Sequence, residues 1–297
     1  MKFPISFAES PDIIEHLTIH EKLGTGKATI YKVYSPYRDT YFALKLYSKD
    51  KTGSIKYHKE KLMIHLNHPN VIQTIPTKSH QHKFYAILTE YIMHGDFFDV
   101  VSKGHLDTDI LVRTYFRQLI EGIEYIHSKG IAHLDLKLDN LMLGTGYLLK
   151  IIDFDQAQLV SENYLTSGGS RDYRAPEVLT GEGEDLAAVD IYSAGVILFA
   201  FKTQAFPFQE DEDSYQNYKL YIKNKSAYWR FLAQNKGNGF FSKDFIQLFN
   251  GMVHQDVKRR FTIEEIKESK WYKGTVLDPE ELRAEMDDKI KIQFTLV

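Results

Sequence analysis

The run His133-Leu134-Asp135-Leu136-Lys137-Leu138-Asp139-Asn140 puts a carboxylate, an ammonium and an amide on one short segment. Transfer of a phosphoryl group requires an acceptor hydroxyl to be positioned, phosphate charge to be neutralised and a metal to be held against the phosphates. Asp135, Lys137 and Asn140 have the chemistry for those three tasks. A further carboxylate, in Asp153-Phe154-Asp155, follows the apolar run 148–152, and a lysine in apolar surroundings, Ala43-Leu44-Lys45, precedes both. Leu23-Gly24-Thr25-Gly26-Lys27-Ala28-Thr29-Ile30 carries two glycines, where a backbone without Cβ can close over phosphates. Each segment alone has an ordinary explanation: a polar surface loop, an exposed edge lysine, a turn. Their order along the chain gives them weight together.

Elements must position these groups. Alternating residues at 17–23, and β-branched and aromatic residues at 30–34 and 41–46 on either side of Ser35-Pro36-Tyr37-Arg38-Asp39, predict strands. A helix is predicted over 56–66, stopped by Asn67-His68-Pro69-Asn70 because proline disfavours helix in the residue before it. Strands at 71–75 and 84–91 complete a small antiparallel sheet with one helix. After Gly95 the periods turn helical. Residues 113–128 place Tyr115, Leu119, Gly122, Ile123 and Ile126 on one face and end at Gly130. Residues 190–201 are apolar nearly all round and read as a buried helix. Residues 147–152 read as a strand, and 240–252 and 262–271 as helices. Strands first and helices later argue an α+β fold of two lobes: an extension 1–16, a first lobe 17–92, a second lobe 93–272 and a charged tail 273–297. Within the tail, 278–291 fits a docking helix and a solvated segment equally well.

The loop with Asp135 and Asn140, followed by Asp153-Phe154-Asp155 and then Ala175-Pro176-Glu177, resembles the catalytic loop, Asp-Phe-Gly and Ala-Pro-Glu motifs of eukaryotic-type Ser/Thr protein kinases. The resemblance runs over about 17–272 and implies a bilobal fold with ATP in the cleft. It implies that Asp135 and Lys137 are catalytic and that Asn140 and Asp153 hold Mg2+, with Mn2+ as the alternative. Leu23, Gly24, Thr25, Gly26, Ala28 and Ile30 would form the loop over the nucleotide, and Ala43 and Met142 would belong to its site. Lys45 would anchor the α- and β-phosphates, supported by Glu60. Glu60 is the acidic residue of 56–66, although the usual spacing to His68-Pro69-Asn70 falls on Lys59. Thr89 would be the gatekeeper, the backbone of Glu90 and Ile92 would meet adenine, and Asp96 the ribose. Asp190 would cap the buried helix and hold the catalytic loop, and Arg260 would pair with Glu177. Lys137 and the segment Gly169-Ser170-Arg171-Asp172-Tyr173-Arg174 are similar to Ser/Thr rather than tyrosine kinases. Within them, Gly95-Asp96-Phe97-Phe98-Asp99 is closest to the calmodulin-dependent and AMP-activated branch. The partners implied are ATP and protein substrates with Ser or Thr.

The pattern breaks in three places. Leu134 stands where an arginine usually receives an activation-loop phosphate. Thr166 occupies the position of that phosphate, so activity independent of its phosphorylation is expected. Asp155 stands for the glycine of Asp-Phe-Gly; it could repel Asp153 or add a metal contact. The Gly-rich loop is one residue short, with Ala28 or Thr29 at its third glycine. Lys45, Asp135, Asn140 and Asp153 are intact, which favours an active enzyme over a pseudokinase scaffold. A small-molecule kinase of related fold is the other rival.

Composition sets the outer bounds. The chain has 297 residues, 43% hydrophobic, with a net charge of −3 and no Cys. This supplies a core for two lobes, shows no basic excess of the kind nucleic-acid binders carry, and excludes disulfides and thiolate sites. No signal peptide and no apolar run long enough to span a bilayer is read. The acidic run 210–213 lacks the alternating ligands of a calcium loop and reads as a solvated loop. A soluble, monomeric, cytoplasmic protein is expected, the nucleus left open, with neither nucleic acid nor membrane as partner.

Overall fold

The computed structural model describes residues 17–75, 84–162, 170–180, 185–208, 212–237 and 239–294. The expected extension 1–16, Thr166 and Gly169 lie outside them. The first lobe is an antiparallel sheet of β1 (Thr18–Thr25), β2 (Thr29–Ser35), β3 (Thr40–Ser48), β4 (Thr74–Ile75) and β5 (Phe84–Glu90) in the order β1-β2-β3-β5-β4. Alternation along β3 sends Phe42 and Leu44 into a small outer cluster with Leu17, Val33, Ala86 and Leu88. The same period turns Ala43, Lys45 and Tyr47 toward the cleft.

The helix of this lobe, α1 (Lys51–Glu60), begins and ends earlier than the predicted 56–66. Asp50 sets its start: the carboxylate accepts from the Gly53 amide at 2.7 Å, satisfying one of the orphan donors of the first turn. Gly53 hides that start, since glycine disfavours helix. It is needed there because a Cβ would come within 2.1 Å of the Ser48 carbonyl oxygen. The predicted strand 71–75 also shortens. Only Thr74 and Ile75 pair in the sheet, while Val71 bridges to Ile151 of the other lobe. The Ile72 amide donates to Ile151 O and the Ile151 amide to Asn70 O, both at 2.9 Å.

The second lobe is mainly helical. It opens with α2 (Phe97–Ser102) and α3 (Asp109–Ser128), the latter capped by Thr108 and burying Tyr115, Leu119, Ile123 and Ile126 on the expected face. Short pairs β6 (Ile131–Ala132) with β9 (Gln158–Leu159), and β7 (Leu141–Leu143) with β8 (Leu149–Ile151), bracket the chemistry-bearing loops. Next come α4 (Pro176–Thr180) and α5 (Leu186–Thr203). By length and composition α5 could cross a membrane, but 89% of it is buried inside this lobe. Its cap is Asp185, which accepts from the Ala188 amide. The expected capping by Asp190 is therefore corrected, because that residue lies one turn inside the helix. The remaining helices are α6 (Glu212–Lys223), α7 (Lys225–Lys236), α8 (Lys243–Met252), α9 (Ile263–Glu268) and α10 (Pro279–Phe294). The start of α6 takes Glu212 and Asp213 out of the expected acidic loop, whose first two residues are outside the described ones.

The tail forms a docked helix. Leu282 and Met286 are buried and Ile290 packs beside them. Tyr147 donates to Asp287 at 2.6 Å, and Lys289 pairs with Asp107 at 2.7 Å.

Candidate active site

Between the lobes lies a cleft whose inner end is apolar. Leu23, Ile30 and Ala43 from the sheet, Thr89 and Glu90 from the end of β5, Tyr91 and Ile92 from the connection after it, and Met142 and Ile152 from below line it. Here the Glu90 amide donates to Gln73 O at 3.0 Å. Its carbonyl, which has two lone pairs, is the atom left to meet a ligand, although the Thr89 hydroxyl also reaches it at 3.2 Å. The Glu90 side chain pairs with Lys150 of β8 at 2.8 Å, tying the connection to the second lobe. The outer end is polar: Gly24, Thr25, Gly26, Lys27 and Ala28 form its roof, with Lys45, Asn140 and Asp153 beneath. A Cβ at Gly24 or Gly26 would meet no protein atom, so packing within the chain does not require these glycines. Asp96, expected to meet the ribose, stands at the start of α2. Its carboxylate accepts from the Asp99 amide at 3.0 Å and caps α2, and the residue lines neither end of the cleft.

Lys45 Nζ lies 2.6 Å from Glu60 Oε1 and 3.2 Å from Asp153 Oδ1. The spacing question at 59 and 60 is thereby answered, as Lys59 instead reaches the Gln156 carbonyl. Burial pushes the Glu60 carboxyl up to about 7, with the Lys45 ammonium pulling against it; Glu60 Oε2 has no hydrogen-bond partner among the described residues. Burial also opposes charge on Lys45, but Glu60 and Asp153 outweigh it and hold its pKa well above the ordinary value. Asp153 is drawn the other way: burial would raise it, yet Lys45 and Lys27 keep it below the usual carboxylate range.

Facing this group across the cleft is the loop after β6. Asp135 Oδ1 accepts from the Ser170 amide at 3.0 Å, and Oδ2 lies 3.4 Å from Lys137 Nζ. Lys137 Nζ also donates to the Ser170 hydroxyl at 3.0 Å. Asn140 Nδ2 donates to the Asp135 carbonyl at 2.7 Å, which leaves its Oδ1 for a cation. The loop is pinned from below by Asp190. That buried carboxylate accepts from the His133 and Leu134 amides, both at 2.8 Å, and meets His127 Nε2 at 2.9 Å. It thereby holds Leu134 in a left-handed conformation (φ 63°). The Leu134 side chain is half-buried against the core. Further out, Arg260 grips Glu177 with two nitrogens and also donates to the carbonyls of Ala188 and His254.

Asp155 is 1% exposed. Its Oδ1 accepts from Lys27 Nζ at 3.0 Å and from Gln156 Nε2 at 3.1 Å, and Lys56 of α1 lies 3.6 Å from Oδ2. Asp135, Asp153 and Asp155 each place a carboxylate oxygen within 4.8 Å of the others. Such hard oxygen donors, with Asn140 Oδ1 alongside, fit Mg2+ or Mn2+ rather than a softer ion.

Two lobes with this strand order, a buried lysine–glutamate pair above and an aspartate loop below define a known class. The protein kinase domain family matches residues 17–272, and the chain belongs to it. It is similar to CBL-interacting protein kinase 12 of Oryza sativa subsp. japonica, 33% identical over 84% of this chain and 46% of that protein. It is also similar to CBL-interacting serine/threonine-protein kinase 12 of Arabidopsis thaliana, 32% identical over 84% of this chain and 51% of that protein. The chain spans about half the length of these curated relatives.

Sequence reasoning missed Ser170, Lys27 and Lys56. Ser170 had a signal, its place just ahead of Ala-Pro-Glu. Lys27 and Lys56 meet Asp155 only through the tertiary fold, with no local pattern to announce it.

Proposed function

We propose that the chain is an ATP-dependent protein Ser/Thr kinase, moving the γ-phosphoryl of ATP to a Ser or Thr hydroxyl of a protein substrate. The observation that carries this is Lys45, bound at once to Glu60 and Asp153 across the cleft from Asp135. In this reading Lys45 binds the α- and β-phosphates, while its two carboxylates fix its direction. Asp135 receives the acceptor hydroxyl and takes its proton, and Ser170 holds that carboxylate still. Lys137, already between Asp135 and Ser170, neutralises the transferred group. Asn140 and Asp153 would hold Mg2+ or Mn2+, which supplies charge neutralisation at the phosphates. Catalysis is then mostly positioning and electrostatics.

The finer reading is that transfer does not wait on phosphate at Thr166. Support comes from Leu134, whose aliphatic side chain packs against the core and offers a phosphate no charge-assisted partner. The test is transfer of labelled phosphate from ATP, with Mg2+ and with Mn2+, by wild type, Asp135→Asn and Thr166→Ala. Asp135→Asn should lose about 100-fold or more, the usual worth of a positioned proton acceptor. Equal signal from Asp135→Asn and wild type would leave a scaffold. Thr166→Ala should keep activity within about tenfold, and a larger loss would overturn the phosphate-independent reading.

A further inference from the structure

We propose that Lys27 is a phosphate-binding residue of this enzyme, held over the transfer site by Asp155. The inference rests on the kinase reading and adds to it a cation from the roof of the cleft.

Lys27 sits at the tip of the turn between β1 and β2, where Thr25 pairs with Thr29 and the Gly26 amide closes on Ala28 O. The turn is tight, and Thr29, at the place expected for a third glycine, is a paired strand residue. From this tip the Lys27 side chain descends into the cleft. Its Nζ lies 3.0 Å from Asp155 Oδ1 and 3.7 Å from Asp135 Oδ2. The first distance is a hydrogen bond and the second is not, so Asp155 engages one of the three N–H donors. The side chain stays 42% exposed, open to a ligand from the cleft side.

Asp155 is suited to be the fixed end of this tether. It is almost wholly buried and braced by Gln156 and by Lys56 of α1. Its position is therefore set by the segment that carries Asp153 and by the helix that carries Glu60.

Charge gives the arrangement its purpose. Three carboxylates crowd within 4.8 Å, and a triphosphate entering there needs cations. Lys45 is shared between Glu60 and Asp153, and Lys137 between Asp135 and Ser170. Lys27 reaches the same space from above, where charge on a transferring phosphoryl group is best met by preorganised donors. A lysine merely paired with a surface acid would contribute little, and that plain alternative separates cleanly in binding.

The test uses the full chain and compares wild type, Lys27→Met, Lys27→Arg and Asp155→Asn. Affinities for adenosine and for ATP with Mg2+ are read by calorimetry, and kcat and KM by phosphate transfer. Adenosine affinity should be the same in all four, since the inner, apolar end of the cleft is untouched. Lys27→Met should bind ATP about tenfold more weakly and lose kcat by a similar factor, the size of one screened charge-assisted contact. Lys27→Arg should recover most of both. Asp155→Asn should raise KM for ATP several-fold with adenosine binding unchanged. If Lys27→Met keeps the wild-type ratio of ATP to adenosine affinity, or binds ATP more tightly, the proposal falls. The ratio does not need turnover, so it is decided even if wild type binds ATP and transfers nothing. Wild type that fails to bind ATP at all would remove both this proposal and the kinase reading. Should Asp155→Asn not fold, the two Lys27 variants decide alone.

Discussion

Replacing Asp190 by alanine tests how the second lobe holds its catalytic loop. The carboxylate accepts two backbone donors, the amides of His133 and Leu134. His133 is buried and its ring is engaged on both sides: Nε2 meets Ile152 O at 2.8 Å and Nδ1 accepts from the Asp135 amide at 3.3 Å. Alanine removes the acceptor for both amides, each of which costs about 1–3 kcal/mol if left unpaired in the interior. Against this stands relaxation of Leu134 from its left-handed backbone, worth about 1–2 kcal/mol. The net loss is about 0–5 kcal/mol, and its midpoint of about 2.5 kcal/mol, at about 2–4 °C per kcal/mol, lowers the melting temperature by roughly 5–10 °C. The loss of rate should be larger than the loss of stability implies. The chain Asp190–His133–Asp135 places the Asp135 carboxylate, and in the proposed reading a displacement of about 1 Å there is worth about 100-fold in rate. Asp190→Asn should fall between, because its single carbonyl oxygen cannot replace both carboxylate oxygens without turning an NH2 toward a donor. The assay pairs a thermal melt with kcat at saturating ATP for wild type, Asp190→Asn and Asp190→Ala. An alanine variant melting within about 2 °C of wild type and keeping a third of kcat would refute the reasoning.

Two other outcomes follow from the same structure. Met286, fully buried where α10 meets the second lobe, should cost about 2–4 kcal/mol when changed to alanine; a loss below 1 kcal/mol by denaturant titration would mean that α10 is not docked in solution. Glu60 has a folded pKa of about 7 because of its burial, against about 4.3 when unfolded. Its contribution to stability is fully present below about pH 4.3 and lost as pH rises through about 7. The melting temperature of wild type relative to Glu60→Gln should therefore fall between pH 5 and pH 8, and parallel curves would contradict it.

Much of the site could be read in the sequence because its chemistry is local. Asp135, Lys137 and Asn140 share one loop whose spacing is set by the residues themselves. Lys45 could be read from a strand with apolar neighbours, and the helical face of α3 from its period. The tail reads equally as a docking helix or a solvated segment, because its charges mask the spacing of Leu282, Met286 and Ile290, which pack against the second lobe. What escaped depends on distance along the chain or on a local rule being overridden. Asp155 and Lys27 meet across 128 positions, and no periodicity encodes such a pair. The start of α1 was obscured by Gly53, whose close approach to Ser48 outweighs its poor propensity. Asp190 is expected both to cap the helix, because it opens the apolar run, and to hold the loop; Asp185 takes the cap, and the hold on the loop is present.

The double fastening of residues 70–72 to β8 constrains how the lobes can move. With Asn70 and Ile72 bonded to Ile151, and Glu90 tied to Lys150 nearby, one edge of the sheet is hinged along a line. Opening is then a swing about that line, like a door rather than a jaw. The free edge, β1 and β2, stands up to four strand spacings away, about 19 Å at about 4.8 Å each. A swing of about 10° lifts that edge by about 3 Å and moves β3, two spacings from β4, by about half as much. Such a swing draws Lys27 away from Asp155 furthest and stretches the Lys45–Asp153 contact less, so the roof of the cleft opens ahead of the buried charges beneath it.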